Sequence, residues 1–258
     1  MGLTSELRGA VARGEIVAHY QPQIDLASDR IVAVEALCRW RPANRPMLLP
    51  DDFIPLAEDN GLICEIGDFM METSCRLADA WTRRGLDTEV AFNVSADQLA
   101  TSSFFTRFTG MLDALSLDPA LLTVEITESR SISDVPGVAA RLERLRGRGV
   151  TISVDDFGTG HSSVERVAAL PTTEVKIDGS LMRDDSASGA VMLNGVVALL
   201  RDRGLRVVAE GIETPRQLER ARAAFVDRAQ GFLIGRPVPA ALMGSRLADQ
   251  DRRPAENG

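Results

Sequence analysis

Residues 204–233 read GLRVVAEGIETPRQLERARAAFVDRAQGFL. A short, largely apolar run, Leu205 to Ala209, is followed by a helical pattern from Thr214 to Ala224 and by a second short run, Ala229 to Leu233. Runs of that length bounded by polar residues are strand-like, whereas apolar residues three and four apart opposite charged ones form one face of a helix. Gly204 stands where a preceding helix would end in a left-handed cap. Strand, helix, strand is the unit from which parallel sheets are assembled.

The alternation continues outward. Further strands are predicted at Ile16 to Ile24, Ile31 to Leu37, Glu89 to Val94, Leu122 to Thr127, Thr151 to Val154 and Glu174 to Ile177, and helices at Cys64 to Arg84, Val138 to Arg146 and Ala187 to Arg203. The first two strands are joined by the turn-like Ser28-Asp29-Arg30, too closely for a crossover helix, so they are predicted to form an antiparallel hairpin. The fold class is therefore α/β: a TIM-like (β/α)8 barrel with one antiparallel strand. A doubly wound open sheet is the alternative. No Pro/Gly/Ser-rich linker interrupts the pattern, so residues 1–248 are expected to form one domain and residues 249–258 a polar C-terminal tail.

Composition narrows the function. The 258 residues carry 26% charged and 45% hydrophobic side chains, a globular balance. The longest apolar runs, such as Gly189 to Leu200, are shorter than the roughly 20 residues of a spanning helix, and the polar N-terminus has no signal-peptide pattern. Three cysteines, Cys38, Cys64 and Cys75, lack metal-ribbon spacing and cannot all pair, which points to a reducing, cytoplasmic setting. A net charge of -8 speaks against a DNA or RNA polymer as partner but not against a small nucleotide.

Lys176 is the only lysine in a chain whose other cations are arginines. Unlike arginine, a lysine amine shifts its pKa and can shuttle protons. Polar residues follow the apolar runs directly: Glu35, Asn93, Glu125, Asp155 with Asp156, Lys176, Glu210 and Gln230. One such acid is ordinarily a helix N-cap. Repeated from strand to strand, the feature points to a shared mouth at the C-terminal end of a barrel. Two carboxylates 4 Å apart repel by about 4 kcal/mol at an effective dielectric of about 20, and one lysine cannot balance five acids. Bound divalent metal can. A nearly all-oxygen ligand set favours Mg²⁺ or Mn²⁺, and two ions suit in-line attack on a phosphodiester. The Phe157-Gly158-Thr159-Gly160-His161-Ser162-Ser163 stretch reads either as a phosphate cradle or as a connecting loop. His19, alternating with Tyr20 on a strand, is expected to be structural.

These residues resemble the EAL family of cyclic-di-GMP phosphodiesterases over nearly the whole chain. The signature Glu35-Ala36-Leu37 continues into Cys38-Arg39-Trp40 and is accompanied by Tyr20-Gln21-Pro22, Phe53-Ile54-Pro55-Leu56-Ala57-Glu58, Asn93-Val94-Ser95, Glu125-Ile126-Thr127-Glu128, Asp155-Asp156-Phe157-Gly158-Thr159-Gly160, Lys176-Ile177-Asp178, Ala209-Glu210-Gly211-Ile212-Glu213-Thr214 and Gln230-Gly231-Phe232. The resemblance implies hydrolysis of cyclic-di-GMP to linear pGpG. It also implies metal ligands at Glu35, Asn93, Glu125, Asp155 and Asp156, a catalytic lysine at Lys176 and a general base or metal partner at Glu210. Substrate contacts are implied at Gln21, Leu37, Arg39, Glu213 and Gln230, and Glu128 matches a residue anchoring the Asp156 to Ser163 loop, linked to a homodimer interface. His161, Gly179 and Phe225 depart from the family's usual Tyr, Arg and Gly. An upstream sensor or GGDEF domain is a frequent companion. The alternative within the family is a catalytically inactive EAL domain acting as a cyclic-di-GMP receptor. Outside it, a Mg²⁺-dependent lyase or aldolase could use Lys176 as base or nucleophile.

Overall fold

The computed structural model describes residues 2–126, 132, 134–158 and 164–252. Strands β1 (Ile16–Asp25), β2 (Ile31–Trp40), β3 (Glu89–Val94), β4 (Leu122–Ile126), β5 (Thr151–Phe157), β6 (Glu174–Ile177), β7 (Arg206–Ala209) and β8 (Arg228–Gln230) close a barrel in sequence order. Strand β1 runs antiparallel to both neighbours, β2 and β8, and the remaining pairs are parallel. The closed order excludes the doubly wound sheet. Asp29 lies at φ 57° in the hairpin turn, a left-handed position that Asp tolerates better than most residues.

Helices α1 (Leu3–Leu7), α2 (Pro50–Asp59), α3 (Ile63–Thr82), α4 (Ala96–Ala100), α5 (Ser102–Leu115) and α6 (Val135–Gly147) belong to the first half. Helices α7 (Val164–Ala169), α8 (Gly179–Arg183), α9 (Ala187–Asp202), α10 (Pro215–Ala223) and α11 (Ala240–Arg252) complete the outer layer. Local chemistry sets their ends. Thr214 accepts a hydrogen bond from the Gln217 backbone while the Gln217 side chain accepts from the Thr214 N–H, with Pro215 opening α10. Gly149 and Gly204, at φ 105° and 72°, follow α6 and α9 in the conformation expected of caps.

Outward-facing Val34, Val90, Val124, Ile152, Val175 and Val207 are fully buried beneath the helices. Tyr20 packs its ring 6.1 Å from that of Trp81 on α3, fixing the outer face of the reversed strand. A smaller cluster of Leu7, Trp40, Phe53 and Ile63 seals α1 and α2 against the end of β2.

Several elements depart from the sequence reading. The last strand stops at Gln230 instead of Leu233, because Gly231 lies against the backbone of Ile212, where a Cβ would fall 2.1 Å from the carbonyl oxygen. Helix α11 runs through Arg252, past the expected start of the tail at 249. Helices α2 and α5 fall in stretches where no element was predicted.

Candidate functional site

Parallel strands deliver the side chains at their C-terminal ends to one mouth. The register pairs Asn93 of β3 with Glu125 of β4, and Lys176 of β6 with Val208 of β7, two residues before Glu210. The Lys176 ammonium is fully buried. Its Nζ lies 2.7 Å from Glu210, 3.0 Å from Glu125, 3.2 Å from Glu35 and 3.6 Å from Asp155. Burial works against a charged amine, but the surrounding carboxylates outweigh it and hold the Lys176 pKa well above its ordinary value.

The acids do not share that cation equally. Burial raises Glu35, yet Lys176 and hydrogen bonds from Gln230 and Asn93 bring its pKa below the usual glutamate value. Glu125 is pushed well up, by burial first and then by Glu35, with Lys176 only partly offsetting it. Glu210 is pushed well up by burial and by Asp155. The mouth therefore holds more carboxylate than its single ammonium neutralises.

Adjacent residues on a regular strand point to opposite faces, so Asp155 and Asp156 need a local device to serve one site. A bulge supplies it. Between the Val154–Val175 and Phe157–Ile177 pairs, β5 has one more residue than β6, and Asp156 sits at φ 55°. The Asp156 N–H donates to Asp155 Oδ1 at 2.8 Å. Carboxylate oxygens of Asp155, Asp156 and Glu210 all come within 4.8 Å of one another.

The opposite wall comes from the reversed strand. Gln21 faces Glu35 across the hairpin, and Gln23 faces Gln230 where the barrel closes. Gln230 donates to Glu35 at 2.6 Å and to Gln21 at 3.2 Å, while Gln23 donates to Gln230 at 2.8 Å. Sequence reading missed Gln23, although the alternation of β1 already set it on the face of Gln21. Arg39 is 7% exposed, and among the described residues its one hydrogen bond is to the Cys38 carbonyl, with no carboxylate in ion-pair range. Asn93 donates to Glu35 Oε1 at 2.8 Å, so its amide N–H is engaged and its carbonyl oxygen remains for a cation.

Two clefts flank the acids, and Glu35 and Asp155 line both. One, of about 430 Å³, runs past Leu37 and Asn93 over apolar Ile54, Ile63 and Met70. The other, of about 290 Å³, is bounded by Gln21, Glu213, Gln230 and Phe232. The mouth thus gathers the expected residues Gln21, Glu35, Leu37, Arg39, Asn93, Glu125, Asp155, Asp156, Lys176, Glu210, Glu213 and Gln230. Glu128 and His161 lie outside the described residues.

The donor set fits a hard divalent cation. Glu125 Oε1 is buried without a hydrogen-bond partner among the described residues, a costly state for an acceptor unless a cation occupies it. Among the described residues the surrounding donors are carboxylate and amide oxygens, with no histidine or thiol.

A family model described as EAL domain matches residues 4–237. The bifunctional diguanylate cyclase/cyclic di-GMP phosphodiesterase MucR of Pseudomonas aeruginosa is 38% identical over 249 residues, 95% of this chain and 36% of that protein. The cyclic di-GMP phosphodiesterase NbdA of the same organism is 36% identical over 244 residues, 93% of this chain and 31% of that protein. The chain therefore spans about a third of the length of these relatives. A solved structure of the PaMucR phosphodiesterase in complex with c-di-GMP matches with a TM-score of 0.86 and 37% identity, covering 94% of this chain and 100% of that one.

Proposed function

The chain belongs to the EAL domain family, and from that premise we propose that it is a metal-dependent phosphodiesterase that hydrolyses cyclic-di-GMP to linear pGpG. The observation that carries the reading is the surplus of buried carboxylate around Lys176, flanked on both sides by a cleft. Relatives named as cyclic di-GMP phosphodiesterases support it.

In this reading Glu35, Asn93, Glu125, Asp155 and Asp156 hold Mg²⁺ or Mn²⁺, two ions in all. The ions supply Lewis acidity to the phosphoryl oxygens and lower the pKa of water. Lys176 stays protonated among its carboxylates and donates hydrogen bonds toward the nucleophile and the charge that develops on phosphate. Glu210, whose pKa is raised by burial and by Asp155, is suited to hold and pass on a proton. Arg39, buried and without a carboxylate partner among the described residues, takes a phosphate oxygen through its planar fork. The two clefts each accept one purine of an extended dinucleotide, Leu37 bordering one and Gln21, Glu213 and Gln230 the other.

Residues 1–248 form the phosphodiesterase unit, working in the cytoplasm as a homodimer and in company with a sensor or GGDEF domain. Among the described residues no helix is long and apolar enough to cross a membrane.

Incubation of the purified protein with cyclic-di-GMP and Mn²⁺ should yield pGpG, with none in excess EDTA and none from Glu35→Ala. Tight binding without product in every divalent metal would replace hydrolysis with a receptor role, and full activity in chelator would remove the metal.

A further inference from the structure

We infer that His19 is a substrate-binding residue: beside Arg39 at the barrel mouth, its unprotonated ring nitrogen accepts a hydrogen bond from the bound guanosine unit. This rests on the reading above and adds a specificity contact to the same site.

The strand geometry carries the assignment. From Ile16 to Gln23 the β1–β2 ladder is unbroken, so His19 shares a face with Gln21 and Gln23. That face looks into the mouth, because Gln21 and Gln23 are bonded to Gln230, which bonds Glu35. Tyr20, between them, points the other way into the helix layer against Trp81. Directly across the hairpin His19 meets Leu37, and Arg39 is the next inward residue on β2. Cross-strand diagonals of this kind lie within reach of long side chains. His19 is half-buried, and no carboxylate among the described residues pairs with it.

Its hydrogen-bond capacity follows from its charge state, since a neutral imidazole carries one N–H donor and one bare acceptor nitrogen. Burial, then Arg39 and Arg41, lower the His19 pKa, leaving the imidazole neutral at pH 7. A neutral imidazole that donates from one nitrogen accepts at the other. Arg39 supplies donors for phosphate; His19 supplies the acceptor that Arg39 lacks. A guanosine unit offers matching donors at its Watson–Crick edge and at its ribose 2′-hydroxyl.

His19→Ala should raise KM and Kd for cyclic-di-GMP about three- to tenfold, the range of one hydrogen bond, with kcat within about twofold. His19→Gln, whose amide oxygen accepts, should recover most of the affinity. Neither variant should change the melting temperature or the hydrolysis of bis(p-nitrophenyl) phosphate, which has no guanosine. With the 2′-deoxy analogue, disappearance of the His19→Ala penalty assigns the donor to ribose, and its persistence assigns it to guanine. Unchanged KM in His19→Ala, or a joint loss of kcat and melting temperature, overturns the assignment while leaving the phosphodiesterase intact. A wild-type protein that neither binds nor cleaves cyclic-di-GMP overturns both.

Discussion

The two ends of the barrel treat buried charge in opposite ways. At the N-terminal end, Glu89 and Glu174 meet Arg206 and Arg228: Arg206 donates to Glu174 at 2.5 Å and to Glu89 at 2.9 Å, and Arg228 also pairs with Glu89. Two acids face two guanidiniums, and burial of Glu89 is more than offset by Arg228 and Arg206, which hold its pKa below the ordinary value. At the C-terminal end four carboxylates lie within 3.6 Å of one ammonium. The lower cluster is complete as the chain folds. The upper one is left short of positive charge, the arrangement expected where stability is traded for a binding site.

Removing the central cation at each end should separate the two roles most sharply. Lys176→Met should lower kcat by about a thousandfold, the upper range for a group acting on transferred protons or developing charge, read from initial rates with cyclic-di-GMP. Arg228→Met should instead cost about 1.5–3 kcal/mol of unfolding free energy in urea titrations, because Glu89 loses one of its two guanidinium partners and keeps only Arg206, with kcat of the folded protein nearly unchanged. A large kcat loss from Arg228→Met would erase the distinction.

Neutralising an acid reverses the sign between the ends. In chelator, Glu125→Gln should raise the stability by about 1–2 kcal/mol, since it removes a like charge from a crowded site, while abolishing turnover in Mn²⁺. Thermal melts and product analysis measure the two effects together. Glu89 should respond to pH instead. Its depressed pKa means that its contribution is fully present above the unfolded glutamate value and is lost as pH falls through the folded one. Acid titration of stability should therefore be shallower in Glu89→Gln than in the wild type. The smallest effect belongs to Phe225, just before β8. It is 74% exposed and held at φ 60°, so Phe225→Gly should relieve backbone strain and stabilise by a few tenths to about 1 kcal/mol in urea titrations, net of the added freedom of the unfolded chain.

The strands were legible because their residues alternate or run apolar over short stretches ended by polar side chains, and the reversal of β1 followed from a loop too short for a crossover. Helix α2 was obscured by Pro55 inside it, and α5 by a Phe-rich run whose end is marked by Ser116 at φ 49° and not by a glycine. The acids and Lys176 were legible as strand-end residues, since closure of a barrel brings such ends together whatever their separation in sequence. What the sequence does not disclose is backbone geometry, above all the bulge that turns Asp156 beside Asp155. Nor does it disclose the lower charge cluster, whose members open four different strands and meet only when the barrel closes.

The difference between the ends can be measured directly by calorimetric titration of Mn²⁺ into metal-free protein. Saturable binding of two ions per chain, lost in Asp155→Asn and retained in Arg228→Met, is the predicted result. Absence of saturable binding to the wild type, or an unchanged isotherm in Asp155→Asn, would contradict the account.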